Sequence, residues 1–410
     1  MELASSAWHV FGAAIVFIVG LGLAARFARI FKVRAGWAVT IYLWHSIFSI
    51  IYSMYVIEFG GDALMYFDSN LVANAEFAFG TSGIQYFTYF LSQYLGLSFL
   101  GACLVFGVLG AVGLIAFHGS MQCIVVGKSV AMRRAATVAI FLPSVSFWSS
   151  GIGKDSVAFL AANLALWAAL DLNRRTRAMV IAGLFMLFVR PHVAGIMIIS
   201  LAASIISSRT ASLKRRIFVG TSIFTVAAFL IPFALKYSGV AEAASFLEFV
   251  EERQSYNLEG GSSIDISEMM LPVQLFTYLF RPLPFEANGL ASMLVSFENV
   301  ALLLLSILGA WKLMTSRGRT LEEGRVFLWT YCIFSWFMLA TTTANLGIAV
   351  RQKWMFTPVL VLLLFSVIGK RALKGREVVD VANFNMHHSA RNDRNYSKKS
   401  APLSRSLLRD

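Results

Sequence analysis

The sequence predicts an all-α integral membrane protein with about eleven transmembrane helices, its N-terminus outside and its C-terminus in the cytoplasm. Three observations predict this class: the composition, the length of the apolar runs, and the distribution of Lys and Arg. Hydrophobic residues make up 58% of the 410 residues, and charged residues only 14%. A soluble chain of this length has no core large enough to bury so much apolar surface.

Several apolar runs exceed the roughly 18 residues needed to cross a bilayer. The predicted spans lie at about 8–28, 36–57, 92–117, 135–149, 156–171, 178–190, 193–207, 217–235, 291–312, 326–343 and 355–370. They define a membrane domain at 1–376 with outer loops at about 58–91 and 236–290. The tail at 377–410 is rich in Ser, Asn, Arg and Lys, a composition typical of disorder.

The basic residues predict the orientation. With these spans, 28 of the 35 Lys and Arg residues fall in one set of connections and the tail, and seven fall in the other set. Cytoplasmic connections carry an excess of Lys and Arg, so the first set is predicted to be cytoplasmic. The net charge of +13 then follows from topology and does not indicate a nucleic-acid partner. The cytoplasmic connections are too short for a nucleotide-binding domain, and no Walker or Rossmann glycine pattern occurs.

Five motifs on the predicted outer side carry the polar residues of interest. They are GGDALMYFDSN with Asp62, Tyr66 and Asp68; WSSGIGKDS with Trp148, Lys154 and Asp155; FVRPHVAG with Arg190 and His192; LFRPLPFEANG with Arg281 and Glu286; and ANLGIAVRQKW with Arg351 and Lys353. Taken singly, such residues have simpler explanations. A lysine at the end of a span can extend to lipid headgroups, an aspartate can cap a helix, and Lys154 with Asp155 can form a polar turn.

Arg190 is the hardest of these residues to explain by topology alone. Burying a guanidinium in a membrane costs several kcal/mol unless it is paired or hydrated, so intramembrane ionisable groups are functional candidates by default. The topology brings Lys154, Arg190, Arg281 and Arg351 to one side of the membrane from four separate connections. We therefore expect a shared anion site, where arginine forks and a lysine point charge bind a phosphate or diphosphate.

The same side also carries carboxylates that could accept a proton from a hydroxyl and aromatic rings that could face sugars. These aromatic residues are Tyr66, Trp148, Phe285 and Trp354. A polyprenyl-diphosphate-linked sugar meets these requirements together, because its tail stays in lipid while its diphosphate lies at the interface. The cysteines and histidines lack metal-ligand spacing, so neither a metal nor a cofactor is predicted.

The stretches PSVSFWSSGIGKDS, RPHVAG, FRPLPFEANG…FEN and NLGIAVRQKW…P, over about 60–357, resemble bacterial O-antigen and exopolysaccharide repeat-unit polymerases. More distantly, they resemble GT-C glycosyltransferases. The resemblance implies a lipid-linked oligosaccharide donor and catalysis at the outer face of the bacterial inner membrane. It places the polymerase pattern of outer-loop arginines on Arg190, Arg281 and Arg351. The acidic residue of the GT-C pattern falls on Asp62, with Asp68 a weaker match.

The sequence thus leads us to expect a multi-pass membrane glycosyltransferase that polymerises polyprenyl-diphosphate-linked repeat units. The expected catalytic residues are Asp62, Asp155, Arg190, Arg281 and Arg351, and the expected substrate-binding residues are Asp68, Trp148, Lys154, His192, Glu286 and Lys353. Two alternatives stay open: a GT-C-type transferase that adds one sugar from a polyprenyl-phosphate donor, and a non-enzymatic glycan or lipid exporter. Expected partners besides the bilayer and the lipid-linked glycan are other assembly proteins, such as a flippase or a chain-length regulator.

Overall fold

The computed structural model describes residues 5–68, 77–207, 269–315, 324–343 and 345–369, with nine single residues at 3, 70, 213, 214, 217, 220, 221, 225 and 321. Every regular element in these ranges is a helix, which confirms the all-α class for the described part of the chain. Most of the predicted outer loop at 236–290, the predicted span at 217–235 and the predicted tail at 377–410 lie outside the described residues.

The helices range from 6 to 27 residues in length. They are α1 Ala7–Ile30, α2 Ala35–Phe59, α3 Asp62–Phe67, α4 Thr81–Tyr89, α5 Phe99–Val125, α6 Val130–Val138, α7 Pro143–Trp148, α8 Lys154–Ala169, α9 Leu172–Val189, α10 Pro191–Ile206, α11 Leu271–Phe280, α12 Leu290–Thr315, α13 Arg325–Thr341, α14 Leu346–Gln352 and α15 Thr357–Val367. A π-helical turn at Phe90–Tyr94 continues α4, and 3₁₀ turns cover Pro284–Glu286 and Lys353–Met355.

The centre of the fold is α5, which packs against α1, α2 and α8. Both α5 and α8 are apolar on all sides and buried along most of their length, as expected for helices in the interior of a bundle. In contrast, α1 and α12 expose large apolar side chains such as Ile18, Phe297 and Leu304. A helix that is apolar all round yet largely exposed has the surface that a lipid environment covers.

Membrane-spanning character is supported by length and composition. Among the described helical stretches, five are long and apolar enough to cross a membrane: α1, α2, α5, Val130–Trp148 and α12. A sixth is added if Leu346–Met355 and Thr357–Val367, which meet at a bend of 61°, count as one span. The chain is therefore a helical protein of the multi-pass membrane class.

The finer prediction of eleven spans is not matched helix by helix. The predicted spans at 156–171, 178–190, 193–207 and 326–343 correspond to α8, α9, α10 and α13, which have 16, 18, 16 and 17 residues. Crossing a hydrocarbon core takes about 20 residues, so these helices are short for the purpose. The number eleven and the orientation stay predictions.

The predicted loops also contain helices. The outer loop at 58–91 includes α3 and α4, and the described end of the loop at 236–290 includes the apolar helix α11. The break predicted within FVRPHVAG is confirmed: α9 ends at Val189, α10 begins at Pro191, and Arg190 lies between them. Proline fits the first position of a helix because its missing N–H has no intrahelical acceptor there.

Candidate functional site

Five charged residues from separate elements form the main polar feature, which we call the charge cluster: Asp62, Lys154, Asp155, Arg190 and Arg351. Asp62 begins α3, Lys154 and Asp155 begin α8, Arg190 joins α9 to α10, and Arg351 lies near the end of α14. The sequence placed all five on one side of the membrane. Four of them, Asp62, Asp155, Arg190 and Arg351, are joined by ion pairs.

Asp155 is the centre of the cluster. Its Oδ1 accepts a hydrogen bond from Arg190 Nη2 at 2.7 Å, and its Oδ2 accepts one from Arg351 Nε. Arg351 also donates from Nη1 to Asp62 Oδ2 at 2.7 Å. The side chains of Arg190 and Asp155 are only 8% and 11% exposed, whereas that of Asp62 is 49% exposed. A buried charge is tolerated when it is paired and hydrogen-bonded, which both oxygens of Asp155 achieve.

Lys154 faces a different partner from its neighbour. Its ammonium donates to Thr81 Oγ1 at 3.0 Å, at the start of α4. The same end of α4 is fixed to the Arg190 region, because Gly80 N donates to the carbonyl of Phe188 at 2.7 Å. Counting side chains, three cations meet two carboxylates in the charge cluster, which leaves one positive charge in excess.

Several buried donors beside the cluster lack partners within the described part of the chain. The Nε of Arg190, the hydroxyl of Tyr278 and the indole N–H of Trp354 are each buried without a hydrogen bond. Unsatisfied buried polar groups are rare in native proteins and call for an explanation such as an unseen ion or ligand. An excess cation together with unpaired N–H and O–H groups is the chemistry that attracts an anion.

A cavity lies against the charge cluster. Its lining residues are Trp148, Ser149, Asp155, Phe159, Arg351, Trp354 and Met355. The two indoles come from different elements, Trp148 from the end of α7 and Trp354 from the 3₁₀ turn after α14. The cavity therefore combines charged groups with flat aromatic faces, as the sequence predicted for Trp148 and Trp354.

The other two aromatic residues do not line this cavity. Tyr66 is buried in α3, and burial raises the pKa of its phenol to about 12 although Arg351 acts in the opposite direction. Phe285 is 83% exposed.

The loop between α7 and α8 is hydrogen-bonded to α2. The carbonyl of Ser149 contacts His45 Nε2 at 3.1 Å, and the carbonyl of Ser150 accepts from Ser49 Oγ at 3.0 Å. Gly151 in this loop lets its backbone lie close to a neighbouring group. A Cβ at Gly151 would lie 1.9 Å from the Tyr52 ring, so the close approach is to Tyr52.

Arg281 and Glu286 form a second ion pair that is separate from the charge cluster in the described contacts. The Arg281 Nε donates to the two Glu286 oxygens at 2.8 and 3.1 Å. The hydrogen bond from Arg281 is the main cause that lowers the pKa of Glu286. The sequence predicted that Arg281 joins Lys154, Arg190 and Arg351, but its guanidinium is paired five residues along its own chain instead.

The remaining predicted residues lie in different surroundings. Asp68 accepts from the backbone N–H of Asn70 at 3.0 Å, and His192 is exposed in the first turn of α10. Lys353 is only 2% exposed, and its ammonium donates to the side-chain oxygen of Asn299. Lys353 therefore contacts the protein interior, and the headgroup explanation for it is wrong.

Sequence reasoning missed Asn299 and Ser144 and gave Glu298 no site role. Glu298 accepts from the backbone N–H of Ser144 at 3.0 Å and from the Ser144 hydroxyl. The available signal was the pair of polar residues, Glu298 and Asn299, in the otherwise apolar run of α12.

The fold and the site together define a helical membrane protein with a buried, partly unsatisfied charge cluster beside an aromatic cavity. Comparisons with protein-family models, with curated proteins and with solved structures gave no match. Among the described residues, no three His, Cys, Asp or Glu side chains come together as a metal would require.

Proposed function

We propose that this chain is a glycosyltransferase of surface-polysaccharide biosynthesis that polymerises polyprenyl-diphosphate-linked repeat units at the outer face of the bacterial inner membrane. The observation that carries the proposal is the charge cluster, with one excess cation and a buried Arg190 Nε that has no partner. The two indoles that line the cavity beside the cluster offer flat faces to a sugar that accompanies the anion.

In the proposed reaction, the hydroxyl oxygen of the acceptor sugar attacks the anomeric carbon of the donor sugar. The bond from that carbon to the diphosphate oxygen breaks, and the diphosphate leaves with the electron pair. Lys154, Arg190 and Arg351 stabilise the charge on the departing group. Asp62 or Asp155 takes the proton from the acceptor hydroxyl. The products are the lengthened glycan and the polyprenyl diphosphate.

The single-sugar alternative has one observation in its favour. Asp62, which the GT-C resemblance assigns as the acidic residue, contacts Arg351 within the charge cluster. An enzyme of this kind would use the same cations to hold a polyprenyl monophosphate.

The deciding experiment uses purified protein in nanodiscs and a purified lipid-linked repeat unit. We expect a ladder of glycans of graded length. Addition of one residue would instead support the single-sugar transferase, and transport of the lipid-linked glycan without any new bond would support an exporter. Both outcomes would contradict polymerisation.

The proposed chemistry requires the charge cluster to face outward, as the distribution of Lys and Arg predicts. Cysteines replacing the exposed Asn288 (predicted outside) and the exposed Ala131 (predicted inside) test this in a Cys123→Ser background. In intact cells, an impermeant thiol reagent should label position 288 but not position 131. Position 131 should be labelled only after the membrane is permeabilised. Labelling of position 131 alone would reverse the orientation and remove the outer-face reaction.

A further inference from the structure

Two adjacent residues of α12 contact the two elements that carry the indoles of the cavity, which we call the Trp148 wall and the Trp354–Arg351 wall. Glu298 accepts both hydrogen bonds of Ser144, in the first turn of α7. Because α7 has only six residues and ends at Trp148, this contact anchors the element that carries the first wall.

Asn299 reaches the second wall. It is fully buried, and its Oδ1 accepts from the ammonium of Lys353. Lys353 directly precedes Trp354 and follows Arg351 by two positions, so it belongs to the segment that carries the second wall. Asn299 also donates from Nδ2 to the carbonyl of Pro282 at 3.0 Å, which joins the Arg281 loop to the same point.

Helix geometry explains how the adjacent residues Glu298 and Asn299 can contact two different elements. Successive residues on an α-helix point about 100° apart, since 3.6 residues complete a turn. Glu298 and Asn299 therefore project toward two different elements from one level of α12. The outer side of α12 exposes large apolar side chains such as Phe297 and Leu304, while Glu298 and Asn299 hydrogen-bond it to the site region.

We propose that Glu298 and Asn299 are positioning residues that set the separation between the Trp148 wall and the Trp354–Arg351 wall. Lys353 acts with them as the group through which Asn299 holds α14 and its 3₁₀ turn. The positioning role does not depend on the proposed glycosyl transfer. Only its expected effect on activity rests on that proposed function.

The test measures the cavity without any substrate. Ser149 lines the cavity and is 2% exposed, so a cysteine at this position should react slowly with a small thiol reagent. The background carries Cys123→Ser, while the buried Cys103 and Cys332 remain as reporters of general unfolding. In Asn299→Ala, the rate of modification at position 149 should rise about tenfold because one wall is released.

The chain offers a matched control in Asn163. This asparagine is also fully buried on a helix, but among the described residues its Nδ2 donates to the carbonyl of Phe159 one turn earlier in the same helix. Asn163→Ala should leave the rate at position 149 unchanged. Lys353→Met should act like Asn299→Ala, whereas Asn299→Asp keeps the acceptor for Lys353 and should stay near the rate of the starting protein.

An unchanged rate at position 149 in both Asn299→Ala and Lys353→Met would overturn the inference. So would modification of Cys103 and Cys332 in step with position 149, since Asn299 would then only stabilise the fold. In the transfer assay, we expect kcat/KM to fall by about 10²-fold in Asn299→Ala, with Asn299→Asp partly restoring it. If position 149 responds as expected while the unaltered protein transfers no sugar, the proposed function fails and the positioning role stands.

Discussion

Asp155→Ala should lower the free energy of unfolding by about 3–5 kcal/mol, a large loss for a single substitution. Removing this carboxylate leaves Arg190 and Arg351 without the group that accepts from both of them. The Arg190 side chain is only 8% exposed, so water cannot fully replace the lost partner. The measurement is the unfolding free energy of the purified protein in detergent or bicelles.

Asp62→Ala is the matched control for this prediction. Asp62 also pairs with Arg351, but its side chain is 49% exposed, and Arg351 keeps its contact with Asp155 when Asp62 is removed. An exposed ion pair contributes about 0–1 kcal/mol, so this substitution should cost little. Equal losses for the two variants would contradict the buried-pair account.

A double substitution isolates the interaction itself. In Asp155→Ala combined with Arg190→Met, the uncompensated guanidinium is also removed. The combined loss should then be smaller than the sum of the single losses, by about 0.5–3 kcal/mol. Strict additivity would mean that Arg190 does not depend on Asp155 for its burial.

The sequence predicted the class of the fold better than its elements. Apolar runs indicate which segments form helices that are either buried or lipid-facing. This pattern depends only on the sequence of each segment. The number of crossings cannot be read in the same way, because α8, α10 and α13 have apolar composition but only 16 or 17 residues. Windows of mean hydropathy do not distinguish such helices from complete spans.

The sequence predicted which residues of the candidate site lie on one side of the membrane, but it did not predict which of them form ion pairs. Asp155 contacts guanidiniums 35 and 196 positions away along the chain, and such contacts depend on the packing of α8 against its neighbours. Lys154 and Asp155 are adjacent in sequence, yet one bonds Thr81 and the other bonds two arginines. If Lys154 and Asp155 formed only a polar turn, both side chains would face solvent and would not need separate partners in the protein.

Lys353 shows the limit of reasoning from single positions. At the end of a predicted span, a lysine is expected to extend its ammonium to lipid headgroups. Here the ammonium is buried because Asn299, on an element more than 50 positions away, supplies an acceptor. Nothing in the local sequence around Lys353 indicates that acceptor.

Arg190→Ala should reduce kcat/KM for glycosyl transfer by about 10²–10³-fold while the protein stays folded and inserted. The fold should survive because Asp155 keeps its hydrogen bond from Arg351 when Arg190 is removed. The activity should fall, because the unpaired Nε of Arg190 is the donor to which the proposed diphosphate would bind. The measurement is the initial rate of transfer from purified lipid-linked donor, with insertion and stability checked for each variant.

Arg190→Lys and Arg281→Ala make this prediction specific. A lysine at position 190 can restore the charge and one contact with Asp155, but it cannot supply both Nη2 and Nε, so we expect only partial recovery. Arg281 is already paired with Glu286 and, in the described part of the chain, has no ion pair with the charge cluster, so Arg281→Ala should lose less activity than Arg190→Ala. Equal losses would place Arg281 in the donor site, as its sequence motif predicted. Normal transfer by Arg190→Ala would contradict the proposed anion site, because the most buried cation of the charge cluster would then have no part in holding the leaving group.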